Sequence, residues 1–196
     1  RIRMVYSFLF SLPGTPVLFY GEEIGLGENL DAGERMAVRP PMQWTTDRNG
    51  GFSTAKASRL VAPVVEGAYG PEHVNVNDQR QNPDSLLNFM SMLIRRYREC
   101  PELGWAELEI IEQPHTDVLA HRCTWDDASM VAVHNLSSEP RMVPITLADC
   151  DDSCHLVDLL QTGQTRLDGS GAADLELDGY GYRWLRVTRL GDRRLT

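Results

Sequence analysis

Residues 13–25 read Pro13-Gly14-Thr15-Pro16-Val17-Leu18-Phe19-Tyr20-Gly21-Glu22-Glu23-Ile24-Gly25. The run Val17 to Tyr20 is short, continuously apolar and bounded by Pro16 and Gly21, the pattern of a parallel strand covered on both faces. Just upstream, residues 4–12 are apolar on nearly every side, broken only by Ser7 and Ser11, and they stop at Pro13-Gly14. That predicts a deeply buried helix ending in a breaker pair. Helix followed by buried strand predicts an α/β unit.

Downstream of Gly21 the periodicity vanishes until about residue 82, and Gly, Asn, Asp and Pro accumulate. A loop of this length inside a domain is expected to be functional. Helical periodicity then returns, with Leu86, Leu87, Met90, Leu93, Ile94 and Tyr97 on one face and Arg95, Arg96 and Arg98 complementing the dipole of the last turn. Asn82 is expected to cap this helix, Pro83 to occupy its first position and Pro101 to end it.

After Gly104 the texture changes to short runs of β character at 108–111, 118–125, 130–134, 142–147, 155–160 and 183–187. Turn clusters separate them at 126–127, 135–140, 149–153, 168–171 and 178–179. Such spacing predicts an antiparallel β-sandwich. The expected division is an α/β segment over 1–102 and a sandwich domain over 103–196, and the two halves share no repeat.

The 196 residues carry 19 Lys plus Arg against 28 Asp plus Glu, a formal net charge of −9, which disfavours nucleic acid and anionic membranes as partners. The length falls short of the roughly 250 residues of a complete (β/α)8 barrel. No apolar stretch approaches a membrane span and no secretory pattern stands at the start, with an upstream signal left open because Arg1 already lies inside a helical pattern. The four cysteines, Cys100, Cys123, Cys150 and Cys154, are too few and too irregularly placed for a disulfide scaffold, which indicates a reducing compartment, so a cytoplasmic location is expected.

Candidate chemistry lies in two places. Glu22 and Glu23 stand just past the expected strand, where α/β folds build their sites. Successive residues of an extended chain point to opposite faces, so the two cannot easily converge as a glycoside-cleaving pair. Support of a neighbouring loop by one carboxylate and solvation of the other is the plainer reading. The stretch Arg39-Pro40-Pro41-Met42-Gln43-Trp44 combines a stiff diproline, directional donors and an indole able to stack on a sugar ring. It equally fits a loop anchored by buried Trp44 and Met42, with Arg39 paired to an acid. Cys150, Cys154 and His155 fall short of a four-ligand zinc pattern, so no metal is expected; His121 and His134 read as structural histidines within strands, and no cofactor motif is present.

At this level of detail the chain resembles the α-amylase family, glycoside hydrolase family 13. Residues 13–25 resemble the stretch containing the eighth barrel strand, and Arg39 to Trp44 with Gly51-Phe52-Ser53 is similar to the loop of the trehalose synthase and oligo-glucosidase branch. Val74-Asn75-Val76-Asn77 and Pro83-Asp84-Ser85-Leu86-Leu87-Asn88 resemble that branch's entry into the last barrel helix. Residues 131–136 and 181–185 are similar to its C-terminal sandwich. The implied fold is α/β plus all-β: the terminal piece of a (β/α)8 barrel, followed by an antiparallel β-sandwich.

The resemblance implies a retaining enzyme whose nucleophilic Asp, acid/base Glu and transition-state-stabilising Asp would all lie upstream of Arg1. No catalytic residue is therefore assigned, and the chain alone is expected to be inactive. Arg39 is implied to shape the pocket that receives the leaving or acceptor sugar, with Gln43 and Trp44 as substrate-site residues that support the loop; Glu22 and Glu23 keep the supporting positions read above, and Pro40 departs from the family's usual Thr or Val. The implied substrate is a small saccharide such as maltose, trehalose or a malto-oligosaccharide, and an oligomer is compatible with the sequence. Isomerisation of maltose to trehalose is the expected activity of the parent enzyme. An α-glucosidase or α-amylase-type hydrolase is the near alternative, and a non-catalytic carbohydrate-binding β-domain is the more distant one. Against the last, Trp105, Trp125 and Trp184 all adjoin strand patterns that read as core.

Overall fold

The computed structural model describes residues 1–189. The described chain divides into two compact units: residues 1–16 together with 93–189, and residues 17–92.

The first unit is built on eight strands: β1 (Glu107–Ile111), β2 (Val118–Trp125), β3 (Ala128–Asn135), β4 (Arg141–Thr146), β5 (Cys154–Asp158), β6 (Gln164–Arg166), β7 (Ala172–Leu177) and β8 (Tyr182–Arg189). Six form one sheet in the order β1-β2-β3-β8-β5-β6, and β4 pairs with β7 in a second. Every pairing is antiparallel, as the period-two reading expects. Two strands escaped that reading. Strand β6 has three residues, and β7 reads Ala-Ala-Asp-Leu-Glu-Leu, where alternation is genuine but Ala, Asp and Glu are poor strand formers. The turn at Asp126-Asp127 joins β2 to β3 with Asp126 in the left-handed region, a conformation Asp tolerates.

Alternation along the central strand β3 sorts the layers. Val131 and Val133 point into the sandwich core with Val143, Ile145, Leu175, Leu177 and Leu185. Met130, Ala132 and His134, on the opposite face, are equally buried. On that side α1 (Ile2–Ser11) and α4 (Pro101–Trp105) pack on the sheet. Because side chains alternate with period two, a one-residue slip of β3 would exchange both faces at once.

Helix α1 is fastened to the sheet by polar groups. Ser7 Oγ lies 3.0 Å from His134 Nε2, and His121 Nε2 donates to the Ser11 carbonyl at 2.8 Å. The imidazoles stack at 6.2 Å, both are fully buried, and neither Nδ1 has a partner. These are the structural histidines the sequence indicates. Burial holds both below the ordinary histidine range, His134 at about 3, where the neighbouring His121 adds to the effect.

Helix α4 is tied down by an ion pair. Arg186 on β8 donates from Nε and Nη2 to Glu102 Oε1 at 3.1 and 3.0 Å, and Nη2 also reaches the Glu99 carbonyl. The Glu102 side chain is 1% exposed. Pro101 thus ends the preceding helix, as expected, and also opens the next from its first position. Of the tryptophans, Trp184 is fully buried, whereas Trp105 is 77% and Trp125 42% exposed, which corrects the reading of all three as core. Trp105 closes α4 and Trp125 borders the β2–β3 turn, both at element ends that no layer covers.

In the second unit, Val17 to Tyr20 forms no strand, and Val17 is 82% exposed. This corrects the buried-strand expectation: a parallel strand needs a ladder partner, and every strand among the described residues pairs within 107–189. Residues 21–75 hold only single 3₁₀ turns, at Glu22–Ile24, Glu34–Met36, Arg48–Gly51, Ala57–Arg59 and Gly67–Tyr69. Then come α2 (Val76–Gln81) and α3 (Leu86–Arg98), the latter counted with this unit as far as Met92 and with the first unit from Leu93. The capping differs from expectation. Asn75 caps α2 by accepting from the Asp78 N–H at 2.8 Å, Asn82 closes α2, and Ser85 Oγ accepts from the Asn88 N–H at the start of α3. Asn82-Pro83 sits in the turn between two helices because Pro83 has no N–H to give. A small core of Ile24, Met42 and Val76, flanked by Leu26, Val74 and Leu87, completes this unit. Among the described residues no helix is long and apolar enough to cross a membrane.

In the unfolded chain His134 titrates near 6.5, so between pH 6.5 and about 3 the unfolded state binds the extra proton and stability falls with falling pH. Urea unfolding at pH 7 and pH 5 is expected to differ by about 2 kcal/mol, and His134→Gln to remove most of that difference. Glu102→Ala, which strands the Arg186 guanidinium, is expected to cost about 3 kcal/mol in the same measurement.

Candidate saccharide site

The diproline loop is fixed from within. Pro40 and Pro41 are buried, and the Tyr20 hydroxyl donates to the Pro40 carbonyl at 3.0 Å. Gln43 is fully buried. Its Nε2 donates to the Tyr69 carbonyl at 3.0 Å and to the Val74 carbonyl, and its own carbonyl accepts from the Val76 N–H at 3.0 Å. The Trp44 carbonyl accepts from the Asn77 N–H at 3.0 Å, and the Trp44 N–H donates to the Gly50 carbonyl at 2.7 Å. That last bond closes a tight return through Asn49, Gly50 and Gly51, all in the left-handed region at φ 56°, 66° and 71°. Two glycines suit it: besides the φ, a Cβ on Gly50 would stand 3.3 Å from Gln43 Cα, and one on Gly51 would stand 2.5 Å from Thr45 Oγ1. Asn49 holds the far side by donating to the Ser53 and Ala55 carbonyls.

This framework presents Trp44 to an open cleft of about 350 Å³. Met42, Val76 and Leu87 supply its apolar lining, and Trp44, Glu23 and Arg80 are prominent among its polar and aromatic lining. Trp44 is 45% exposed, so it does not anchor the loop; Met42 and Gln43 do. Glu23 Oε2 accepts from the Gly21 N–H at 2.7 Å, which fixes the carboxylate beside the cleft.

The other candidates fall elsewhere. Glu22 is exposed and lies outside the cleft; its Oε2 accepts from the Phe19 N–H at 3.2 Å. Both carboxylates thus serve the turn that contains them. Arg39 is exposed, lines no part of the cleft, and its guanidinium has no acidic partner among the described residues. Gln43 supports the loop without reaching the cleft. Arg80 was missed because the stretch up to about residue 82 shows no periodicity, so the short helix that carries it was not expected. A signal for it existed in the Asn75 cap, which fixes where α2 begins. In the first unit, Cys150 and Cys154 are buried in the sandwich core while His155, alternating with Cys154 along β5, points the other way. Burial pushes the Cys150 thiol up to about 12.

Comparison with known proteins bears on both halves of the chain. Residues 1–104 match the family described as alpha amylase, catalytic domain, and residues 128–186 match the sucrose hydrolase-like C-terminal domain. The trehalose synthase/amylase TreS of Mycobacterium tuberculosis is 38% identical over 194 residues, covering 96% of this chain and 32% of the relative. The trehalose synthase of Pimelobacter sp. is 36% identical over 193 residues, 96% of this chain and 34% of its own length. The chain therefore spans about a third of the length of these relatives. Among solved structures, the trehalulose synthase MutB of Pseudomonas mesoacidophila MX-45 superposes with a TM-score of 0.71 at 23% identity, covering 95% of this chain and 38% of that one. A mutant of the same enzyme in complex with the substrate sucrose gives 0.70. This likeness establishes the fold: barrel-end elements followed by a C-terminal β-sandwich. With the catalytic-domain match running across more than half of its residues, the chain belongs to the α-amylase family.

Proposed function

We propose that this chain is the carboxyl-terminal part of a trehalose synthase-type enzyme that converts maltose to trehalose by retaining glucosyl transfer. The observation that carries the reading is identity with trehalose synthases along nearly the whole chain, through the loop and the sandwich alike. In such a mechanism a covalent glucosyl intermediate forms on a carboxylate, and its fate decides the product. Attack by the retained glucose through a different hydroxyl gives trehalose; attack by water gives hydrolysis. Exclusion of water is then the decisive property of the pocket, and a stiff substrate loop serves it.

In this reading the residues have distinct tasks. Arg39, exposed and without an acidic partner among the described residues, offers a guanidinium to the sugar that leaves or accepts. Gln43 holds the loop, and Trp44 supplies an apolar face for a sugar ring. Glu22 and Glu23 brace the preceding turn. The amylase-type segment is proposed to end near residue 102, and the cytoplasm to be the site of action. A hydrolase reading draws on the sucrose hydrolase-like match and on the amylase in the name TreS.

The test is a protein that carries this sequence behind a complete amylase-type barrel, supplied with maltose. Trehalose is the expected main product, and glucose alone would favour hydrolysis. Arg39→Ala is expected to raise KM for maltose about tenfold while leaving the melting temperature in place. Gln43→Ala should instead cost about 2 kcal/mol of stability, since the Tyr69 and Val74 carbonyls lose the donor that joins them and a fully buried side chain is truncated. Equal losses of activity and melting in Arg39→Ala would make that residue structural.

A further inference from the structure

We propose that the cleft lined by Trp44, Glu23 and Arg80 is a binding site for one pyranose ring of a neutral saccharide. The inference rests on the saccharide reading of the Trp44 loop and adds Arg80 and Glu23 to it as ligand-binding residues.

The chemistry of the lining selects the ligand. Arg80 has no ion-pair or side-chain hydrogen-bond partner among the described residues, although it shares the cleft with a carboxylate. Five N–H donors are therefore free beside an acceptor-only group. An anion would meet Glu23 and a cation would meet Arg80, so neither charge is favoured overall. A ring bearing several hydroxyls satisfies both, giving protons to the carboxylate and accepting them from the guanidinium. The indole of Trp44 and the side chains of Met42, Val76 and Leu87 match the ring's C–H faces.

The donors of the remaining polar lining are already committed within the protein. Asn88 Nδ2 donates to the Gln79 and Asn82 carbonyls, and the Ser91 hydroxyl donates to the Leu87 carbonyl. Trp44, Arg80 and Glu23 are left to do the recognition. At about 350 Å³ the cleft lies at the lower end of small-molecule sites, which suits one sugar ring with the rest of the molecule in water. Two pieces are held in advance, Trp44 by the Gly50 return and Glu23 by the Gly21 N–H, while the capped helix α2 fixes the backbone from which Arg80 reaches the cleft.

The four tryptophan indoles provide the test. Maltose is titrated to about 100 mM into the ¹⁵N-labelled 196-residue chain, and the four indole N–H signals are followed. The Trp44 signal, assigned through Trp44→Phe, is expected to shift saturably in the millimolar range while those of Trp105, Trp125 and Trp184 stay in place. Arg80→Gln, a change at an exposed position, is expected to weaken binding about tenfold with an unchanged melting curve. Glucuronate, which brings a second carboxylate to Glu23, is expected to bind more weakly than glucose. The proposal is overturned if the Trp44 signal does not move, if only Trp105 or Trp125 responds, or if Arg80→Gln binds as well as the parent chain. Trehalose formation by the longer protein alongside a silent Trp44 would remove this site and keep the proposed activity. A shifting Trp44 alongside pure hydrolysis would do the reverse.

Discussion

One buried amide holds the long loop together. A segment of more than fifty residues without a strand cannot satisfy its buried backbone groups through a ladder, so side chains must serve instead. Gln43 does this at the centre, giving its Nε2 protons to the Tyr69 and Val74 carbonyls and thereby joining parts of the loop some thirty residues apart. Gln79 repeats the device, donating to the Ile24 carbonyl at 2.7 Å and accepting from the Leu87 N–H at 3.0 Å. Asn49, Asn75 and Asn88 do so locally. The amides stand in for secondary structure, and the exposed face of Trp44 is what their arrangement leaves available.

The sandwich unit meets the same requirement through regular pairing. Strand β3 is buried on both faces, so each neighbouring layer is matched to one half of its side chains. The apolar half needs only shape. The other half includes two imidazoles whose Nε2 atoms are engaged by α1 and whose Nδ1 atoms are not engaged at all. Neutral rings tolerate this and charged ones do not, so this helix contact is tied to pH.

What was legible in the sequence follows from where the signals are local. Six strands, the β2–β3 turn and the apolar stripe of α3 rest on periodicity or turn chemistry, which neighbours in sequence determine. Strand β7 was hidden because Asp174 and Glu176, on the solvent face, lower the β character of a true alternation. Residues 17–20 carry strand chemistry but lack a pairing partner among the described residues, and tertiary context overrides propensity. At the site, the composition of residues 39–44 indicated sugar chemistry without telling Gln43 from Trp44. The first turned inward to satisfy carbonyls and the second remained outside, a sorting set by contacts from residues 69–77. Arg80 and Glu23 are 57 positions apart, and only folding brings them to one cleft.

In the proposed reaction, the enzyme containing this chain moves a glucosyl group within a closed pocket. The most direct measurement is turnover of unlabelled maltose in the presence of excess ¹³C-glucose, with the product trehalose analysed for label. Transfer to the glucose that never left the pocket gives unlabelled trehalose. Trehalose labelled to the extent of free mixing would contradict the account.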